Sequence, residues 1–135
     1  MHAFGRRSME RLLTCHPLLR ELFERVIARP DLPLDLTVLC GHRGAVEQAE
    51  AVASGASKLH YPHSRHNVFP SLAVDVAPWV DGAVSWAWED YHQIAPAVKA
   101  EWALMQVEGA TGAWSLVWGG DWASPHDGPH WELRA

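Results

Sequence analysis

The sequence predicts an α+β fold, in which helices pack on a small antiparallel sheet within a single domain. Its 135 residues suit one compact domain and leave little room for a second. Helical and strand-like patterns alternate in the order α, β, α, β, α, β, β, with short strands and long first and third helices. Repeats, linkers and low-complexity tracts are not evident.

The first half of the chain predicts two helices around one strand. Apolar residues recur every three to four positions over 8–28, which predicts an amphipathic helix with Ser8 as its N-cap and Pro30 just beyond its end. The β-branched run at 34–41 predicts a buried strand. The alanine-rich stretch at 44–55 ends at a glycine and predicts a short helix.

The second half contains an acidic residue inside a predicted strand. A loop over 56–71, rich in Pro, Ser and His, precedes a strand over 72–79 in which Asp75 is an unusual central residue. Helical spacing over 89–108 includes Pro96, which either kinks this helix or marks its true start. The remaining segments are a turn at Asp81-Gly82, a strand over 114–118, a loop over 119–128 and a final strand over 129–134.

Charge and composition exclude several classes of partner. The net charge is −5 and Lys and Arg form no run, so we expect neither nucleic-acid binding nor adhesion to anionic membranes. No stretch is apolar for the length that a membrane helix requires, and the N-terminus lacks the pattern of a signal peptide. Cys15 and Cys40 form no CxxC pair, and we expect two buried free thiols.

Histidine and carboxylate residues cluster at two places in the sequence. His66 is followed nine residues later by Asp75, and the segment from Asp127 to Glu132 contains His130. Zinc in hydrolases usually has three N or O ligands and one open position, which two histidines and one carboxylate would satisfy. His126 is the main rival ligand, because it lies four residues before His130.

Further residues are candidates for catalysis. Asp127 lies three residues before His130 across a Gly-Pro turn and could act as a general base without being a ligand. Glu132 lies on the same strand face as His130, so it is either an alternative base or a support for that ring. Arg43 could bind a substrate carboxylate or the carbonyl oxygen.

The tryptophan-rich segment from Trp118 to Trp122 allows two interpretations. Gly119 and Gly120 would permit a tight loop. Trp118 and Trp122 belong either to the core or to the wall of a cleft.

These segments together resemble the D-alanyl-D-alanine carboxypeptidase-like zinc peptidases, and within them the phage L-alanyl-D-glutamate endopeptidases, which are endolysins. The family pattern is S-x-H, then A-x-D, a GGxW segment, and an acidic residue three before a final His. The matching segments here cover residues 40–134. They are Gly41-His42-Arg43 with Gln48, Ser64-Arg65-His66, Ala73-Val74-Asp75, Trp118-Gly119-Gly120-Asp121-Trp122 and Asp127-Gly128-Pro129-His130-Trp131-Glu132.

The resemblance implies a role for each matched residue. His66, Asp75 and His130 would bind zinc, Asp127 would be the base, and Arg43 would stabilise the substrate or its carbonyl. By the same resemblance Ser64 would support the first ligand. The chain departs from the family in one respect: eight residues, not six, separate His66 from Asp75, which we interpret as a longer loop before the strand.

The resemblance also implies a function, a substrate and a place of action. We expect a zinc-dependent hydrolase that cleaves a stem-peptide bond of bacterial peptidoglycan, between L-Ala and D-Glu, as a monomer without a cell-wall-binding domain. It would be made in the host cytoplasm and act on the wall after release, as a lysis enzyme or a phage structural component. The alternatives are a D-Ala carboxypeptidase and a zinc-stabilised binding module without catalysis.

Overall fold

Four α-helices and five β-strands make up the computed structural model, which describes residues 2–123 and 126–135. In chain order they are α1 (Arg6–Leu12), α2 (Pro17–Ile27), β1 (Asp35–Cys40), α3 (Ala45–Ala53), β2 (Ala73–Val80), β3 (Ala83–Val84), α4 (Trp88–Val107), β4 (Ser115–Trp118) and β5 (His130–Arg134). Short 3₁₀ helices lie at Arg65–Asn67 and Gly119–Asp121.

The strands form one antiparallel sheet in the order β1-β2-β5-β4, with β3 paired to the far end of β2. The predicted α+β fold with a small antiparallel sheet is therefore confirmed. None of the helices in the described ranges is long and apolar enough to cross a membrane.

The central strands β2 and β5 give the sheet two chemically different faces. Val74 lies opposite Trp131, and both are buried in the core, where Phe23 of α2 meets Trp131 edge-on at 6.3 Å between ring centroids. The next pair along the ladder is Asp75 and His130. Because side chains alternate between faces, this polar pair lies on the side opposite the core.

The prediction of a single helix over 8–28 is wrong, because the helical conformation is interrupted between α1 and α2. Pro17 is the first residue of α2, where its missing N–H costs no helical hydrogen bond. His16 caps that helix by accepting a hydrogen bond at Nδ1 from the Leu18 amide at 3.1 Å.

Ser8 is not the N-cap that the sequence predicts; Gly5 occupies that position. The Ser8 hydroxyl instead accepts a hydrogen bond from the Val38 amide at 2.9 Å, in the middle of β1. The Arg11 guanidinium donates to the Val38 carbonyl at 2.9 Å. These two bonds join α1 to the edge strand β1.

The second half of the chain contains one long helix and a short hairpin. The helix α4 begins at Trp88 and contains Pro96, so Pro96 does not mark its start. The predicted turn at Asp81-Gly82 closes a two-residue hairpin, with φ values of 52° and 78°, the pattern of a type I′ turn. The strand β3 that follows this turn was not predicted.

Ion pairs join α2 to α4 beside the core. Glu101 is 8% exposed and accepts hydrogen bonds from Arg25 Nε and Arg29 Nη1, each at 3.1 Å. Arg25 also binds Glu108 through two bonds of 3.0 and 2.8 Å. The two helices are thus held together by a charged cluster as well as by apolar packing.

Candidate metal centre and active site

A cavity of about 990 Å³ opens over the polar face of β2 and β5. It brings together most of the residues that the sequence singles out. Those that line it are Arg43, Ser64, His66, Asp75, Trp122, Asp127, His130 and Glu132.

The loop before β2 holds His66 in one orientation. The Ser64 hydroxyl accepts a hydrogen bond from the His66 amide at 3.2 Å, and Asn67 completes a capping box with Ser64. On the ring, Nδ1 lies 2.7 Å from the Gly41 carbonyl oxygen, which can only accept. Nδ1 therefore carries the proton of the neutral ring, and Nε2 is left with a free lone pair.

The free nitrogen of His66 is directed at Asp75. Its Nε2 is buried, has no hydrogen-bond partner within the described ranges, and lies 3.3 Å from Asp75 Oδ1. A buried polar atom without a protein partner is uncommon, and a nitrogen lone pair of this kind fits a metal ion.

The ring of His130 is fixed from the opposite side of Asp75. Its Nε2 lies 2.7 Å from Glu132 Oε1, and its Nδ1 lies 3.2 Å from Asp75 Oδ1. Glu132 is in turn bound by Arg134 at 2.7 Å and by Arg65 at 2.9 Å. When Nε2 donates to Glu132, Nδ1 of the neutral ring presents its lone pair beside Asp75.

The spacing of these atoms suits a zinc ion. Four ligands at tetrahedral angles and bond lengths of about 2.0–2.1 Å lie roughly 3.3–3.4 Å apart. Asp75 Oδ1 lies 3.3 Å from one imidazole nitrogen and 3.2 Å from the other. Those two distances match the separation of neighbouring zinc ligands, and two histidines with one carboxylate are a donor set that zinc accepts. Among the described residues, the donor atoms that all lie within 4.8 Å of one another belong to Cys40, His66 and Asp75, a set that does not include His130.

Without a metal, these residues attract protons in its place. Burial lowers the pKa of His66, but the neighbouring Asp75 carboxylate outweighs it and raises that pKa to about 10. Burial likewise opposes ionisation of Asp75, yet the two histidines hold its pKa below the ordinary range of a carboxyl. The pocket therefore favours an anionic carboxylate beside a cation.

Asp127 is positioned by a close approach of two backbone segments. Its amide donates to the Gly119 carbonyl at 3.1 Å, and its own carbonyl accepts from the His130 amide at 3.2 Å. A Cβ built on Gly119 would lie 2.9 Å from Asp127 Cβ and 3.1 Å from His130 Cβ, so this position requires glycine. Burial, and then the charge of Asp75, raise the pKa of Asp127, which suits a group that takes up and returns a proton.

Arg43 lies on the His66 side of the cavity. Its backbone amide donates to the His66 carbonyl at 2.8 Å. Its side-chain Nε is buried and has no hydrogen-bond partner in the part of the chain that the structure describes. The Nε–H is therefore a donor without a partner in those residues, on a cationic side chain that lines the cavity.

The structure separates the two tryptophans whose positions the sequence left open. Trp118 is 4% exposed, stacks on Trp131 at 5.5 Å, and donates its indole N–H to the Gly128 carbonyl at 2.7 Å. It belongs to the core and supports the loop that carries Asp127. Trp122 lines the cavity, with its ring 5.3 Å from that of His130.

His126, the rival ligand, is exposed and lines the same cavity, where its ring lies 5.0 Å from that of Trp88. It is not among the donor atoms that lie close together around Asp75 in the described residues. His42 packs against Phe69 at 5.2 Å.

Cys40 is a site residue that the sequence analysis missed. One ligand atom each from Cys40, His66 and Asp75 lie within 4.8 Å of one another. Cys40 is paired with Asp75 in the β1–β2 ladder, just after an irregularity in register. It is free, as expected, but half-buried rather than buried; Cys15 is free and buried. The only sequence signal for Cys40 as a site residue was its position at the end of a strand, just before Gly41-His42-Arg43.

The fold and cleft thus place a histidine–carboxylate cluster, a carboxyl of raised pKa and a cationic side chain around one open space. These are the groups that hydrolysis of a peptide bond requires.

Comparison with known proteins identifies the family. The phage L-alanyl-D-glutamate peptidase family matches residues 1–133 of the chain. The L-alanyl-D-glutamate peptidase of Escherichia phage T5 is 28% identical over 127 residues, which are 92% of this chain and 84% of the relative. The crystal structure of the Serratia marcescens L-Ala D-Glu endopeptidase ChiX is similar, with a TM-score of 0.77, 32% identity, and coverage of 99% of this chain and 90% of that one. The chain belongs to the phage L-alanyl-D-glutamate peptidase family.

Proposed function

We propose that this protein is a zinc-dependent peptidase that cleaves the L-Ala–D-Glu bond of the peptidoglycan stem peptide. His66, Asp75 and His130 hold the metal, Asp127 transfers the proton, and Arg43 binds the substrate. The family and the activities for which its relatives are named support this substrate class.

One observation carries the proposal for the metal site. Two imidazole nitrogens converge on the same carboxylate oxygen, at 3.3 and 3.2 Å, while the other nitrogen of each ring is occupied by Gly41 or Glu132. An imidazole whose second nitrogen is hydrogen-bonded to a carbonyl or carboxylate is the usual arrangement of a metal-binding histidine.

The residues of the chain divide the reaction between them. A zinc ion bound here would acidify a water molecule and polarise the scissile carbonyl. Asp127 accepts the proton as the water oxygen bonds to the carbonyl carbon of L-Ala. When the C–N bond breaks, Asp127 returns that proton to the D-Glu nitrogen, which leaves as the free amine.

Arg43 and Trp122 act on the bound substrate rather than on the proton. Arg43, whose Nε has no hydrogen-bond partner among the described residues, donates to the carbonyl oxygen or to a carboxylate of the stem peptide. Trp122 lies against His130 and limits the access of bulk water to that side of the cleft.

Digestion of purified peptidoglycan, with mass spectrometry of the products, tests the reaction. The zinc-loaded protein should create new amino termini on D-Glu. Asp127→Asn should lower the rate by about 10²–10⁴-fold while it retains the metal. The matched control is Asp121→Asn, which changes an exposed carboxylate that is paired with Lys99 and lies outside the cavity lining.

Other products would overturn the assignment in specific ways. Release of D-Ala alone would make the protein a carboxypeptidase. Intact peptidoglycan, with one zinc still bound per chain, would make it a binding module. Equal loss of activity in Asp127→Asn and Asp121→Asn would remove the base role from Asp127.

A cobalt spectrum distinguishes the two donor sets around Asp75. With His66, Asp75 and His130 as ligands, the cobalt-substituted protein should lack a sulfur-to-metal charge-transfer band, and Cys40→Ser should leave the spectrum unchanged. A band that disappears in Cys40→Ser would instead make the neighbouring thiol a ligand.

We further propose that the protein acts as a monomer on the cell wall, after release from the cytoplasm in which it is made.

A further inference from the structure

The chemistry of the substrate places a sugar close to the metal site, and this inference rests on the proposed function. In peptidoglycan, L-Ala is joined through its nitrogen to the lactyl group of an N-acetylated muramyl sugar. From the scissile carbonyl, the L-Ala residue and the lactyl group together span about two residue lengths, or ~7 Å. A protein that cleaves after L-Ala must therefore accommodate this sugar at the mouth of its cavity.

One wall of the cavity ends in a rigid aromatic surface. Trp131, Trp118 and Trp88 form a stack that runs outward from the core, with ring centroids 5.5 and 6.0 Å apart and planes within 15° of parallel. Trp131 and Trp118 are buried, whereas Trp88 is 40% exposed and lines the cavity. The exposed indole therefore has its orientation set by the core beneath it.

Trp88 lies next to the proposed base. A Cβ built on Gly128, the residue after Asp127, would lie 3.4 Å from Trp88 Cζ3 and 3.0 Å from the Tyr91 ring. This contact places the aromatic surface beside the loop that carries Asp127, a short distance from the metal-binding cluster.

Trp86 is a second exposed indole, two residues before Trp88 in the chain. It lines the same cavity and is 68% exposed. The preceding residue, Ser85, is held by the Tyr91 hydroxyl, which donates to its carbonyl at 2.9 Å, and by its own hydroxyl bond to Asp90 at 2.5 Å. Together with Trp88, Trp86 gives this cavity two exposed indoles, an apolar surface of the kind that binds ligands.

We propose that Trp86 and Trp88 form a platform for the muramyl sugar that precedes the scissile bond. The apolar C–H face of the hexose ring packs on the indoles, whose flat, two-torsion side chains lose little conformational freedom on binding. The exposed His126, with its ring 5.0 Å from Trp88, is available to the sugar's polar groups.

Charge within the cavity fixes the direction of the substrate. Arg43 lies on the His66 side, and Lys58 also lines the cavity. These cations suit the carboxylates that follow the scissile bond, beginning with D-Glu. The uncharged sugar is thus left to the aromatic wall on the Asp127 side.

Binding measurements test the platform independently of catalysis. Asp127→Asn protein, loaded with zinc, is titrated calorimetrically with N-acetylmuramyl-L-Ala-D-isoglutamine and with L-Ala-D-isoglutamine, which lacks the sugar. The muramyl ligand should bind more tightly, and adding Trp86→Ala should reduce this preference by about tenfold. Trp88→Phe, which keeps an aromatic ring on Trp118, should reduce it by a smaller factor.

Trp79→Ala is the matched control, because Trp79 is 41% exposed but lies outside the cavity lining. It should leave the preference unchanged. An equal loss of affinity for both ligands in Trp86→Ala would overturn the proposal and assign Trp86 to the peptide. An unchanged preference in both Trp86→Ala and Trp88→Phe would overturn it as well.

Cleavage separates this proposal from the proposed function. If the wild-type protein leaves purified peptidoglycan intact, the proposed function fails, while the ratio of the two dissociation constants still decides whether the sugar platform exists.

Discussion

Glu132 determines which nitrogen of His130 faces Asp75. Its carboxylate lies 2.7 Å from Nε2. Burial raises the pKa of Glu132, but the bonds to His130 and Arg134 outweigh burial and lower that pKa to about 2. Glu132 is therefore ionised at neutral pH and can only accept. The sequence analysis named Glu132 as either a base or a support for the ring, and the geometry favours the support.

Glu132→Gln should weaken metal binding by about tenfold, because the amide no longer enforces the tautomer that frees Nδ1. Competition with a chelator of known zinc affinity measures the change. Glu24→Gln, an exposed helical residue, is the control. An unchanged zinc affinity in Glu132→Gln would show that the orientation of His130 does not depend on this carboxylate.

Zinc binding should release a proton near neutral pH. The pKa of His66 is about 10 without metal, so the ring is protonated at pH 7.5 and must lose that proton to become a ligand. Calorimetry in buffers of different ionisation enthalpy counts the protons released. Apparent zinc affinity should rise with pH toward 10; an affinity that is constant from pH 7 to 9 would contradict this prediction.

The same raised pKa of His66 makes the folding stability of the metal-free protein depend on pH. The protonated ring stabilises the folded state most below pH 6.5, the ordinary pKa of histidine, and this contribution is lost as pH rises toward 10.

For single residues, the sequence indicated which side chains belong to the site better than it indicated which side chains lie close together. Two clusters of histidine and carboxylate residues indicate a metal site by residue type, and the resemblance to the family's motifs singles out His66, Asp75 and His130 as its ligands and Asp127 as the base. The nearness of Cys40 was not predictable in the same way, since it depends on the irregular register between β1 and β2.

Helices and strands were predicted correctly where apolar residues recur with a clear helical or strand spacing. The strands β1, β2 and β5 and the helix α3 begin and end within about two residues of their predicted bounds, a usual margin. The first helix failed because its apolar period continues through Pro17, although proline interrupts the hydrogen bonds that the period assumes. The strand β3 is too short to have a period of its own.

His16→Ala should destabilise the protein by about 1 kcal/mol, because the first turn of α2 loses its cap. His16→Asn should retain most of the stability, since asparagine can also accept the Leu18 amide. Urea unfolding measures both. Equal stability of the alanine and asparagine variants would show that the bond at Nδ1 contributes little.

The cap should also respond to acid. Burial lowers the pKa of His16, so the folded protein favours the neutral ring that can accept at Nδ1. Its contribution is present above pH 6.5 and is lost as pH falls below that value, and His16→Asn should lack this part of the pH dependence.

The whole molecule is organised by the two faces of one sheet. The side of β2 and β5 that carries Val74 and Trp131 forms the core, and the other side carries Asp75 and His130. The site therefore depends on the packing of α2 and α4 behind the sheet, which the sequence predicts as helices but cannot orient.

Glu101→Gln should lower the free energy of unfolding by about 1–3 kcal/mol, because a nearly buried carboxylate leaves Arg25 and Arg29 without their shared partner. Thermal and urea unfolding measure the loss. Glu108→Gln, at the exposed end of the same cluster, should cost less and lose its effect at high salt. A larger effect from Glu108→Gln would place the important contact at the surface.

The stack of Trp131, Trp118 and Trp88, which runs from the core to the cavity, also provides an intrinsic spectroscopic signal. Indole rings held nearly parallel at 5.5 and 6.0 Å couple their electronic transitions, so they should give a strong near-ultraviolet circular dichroism signal. Because Trp88 ends this stack at the cavity, a ligand that settles there should perturb the signal without any added label. Loss of core packing would abolish it, and the same spectrum would thus report both occupancy and folding.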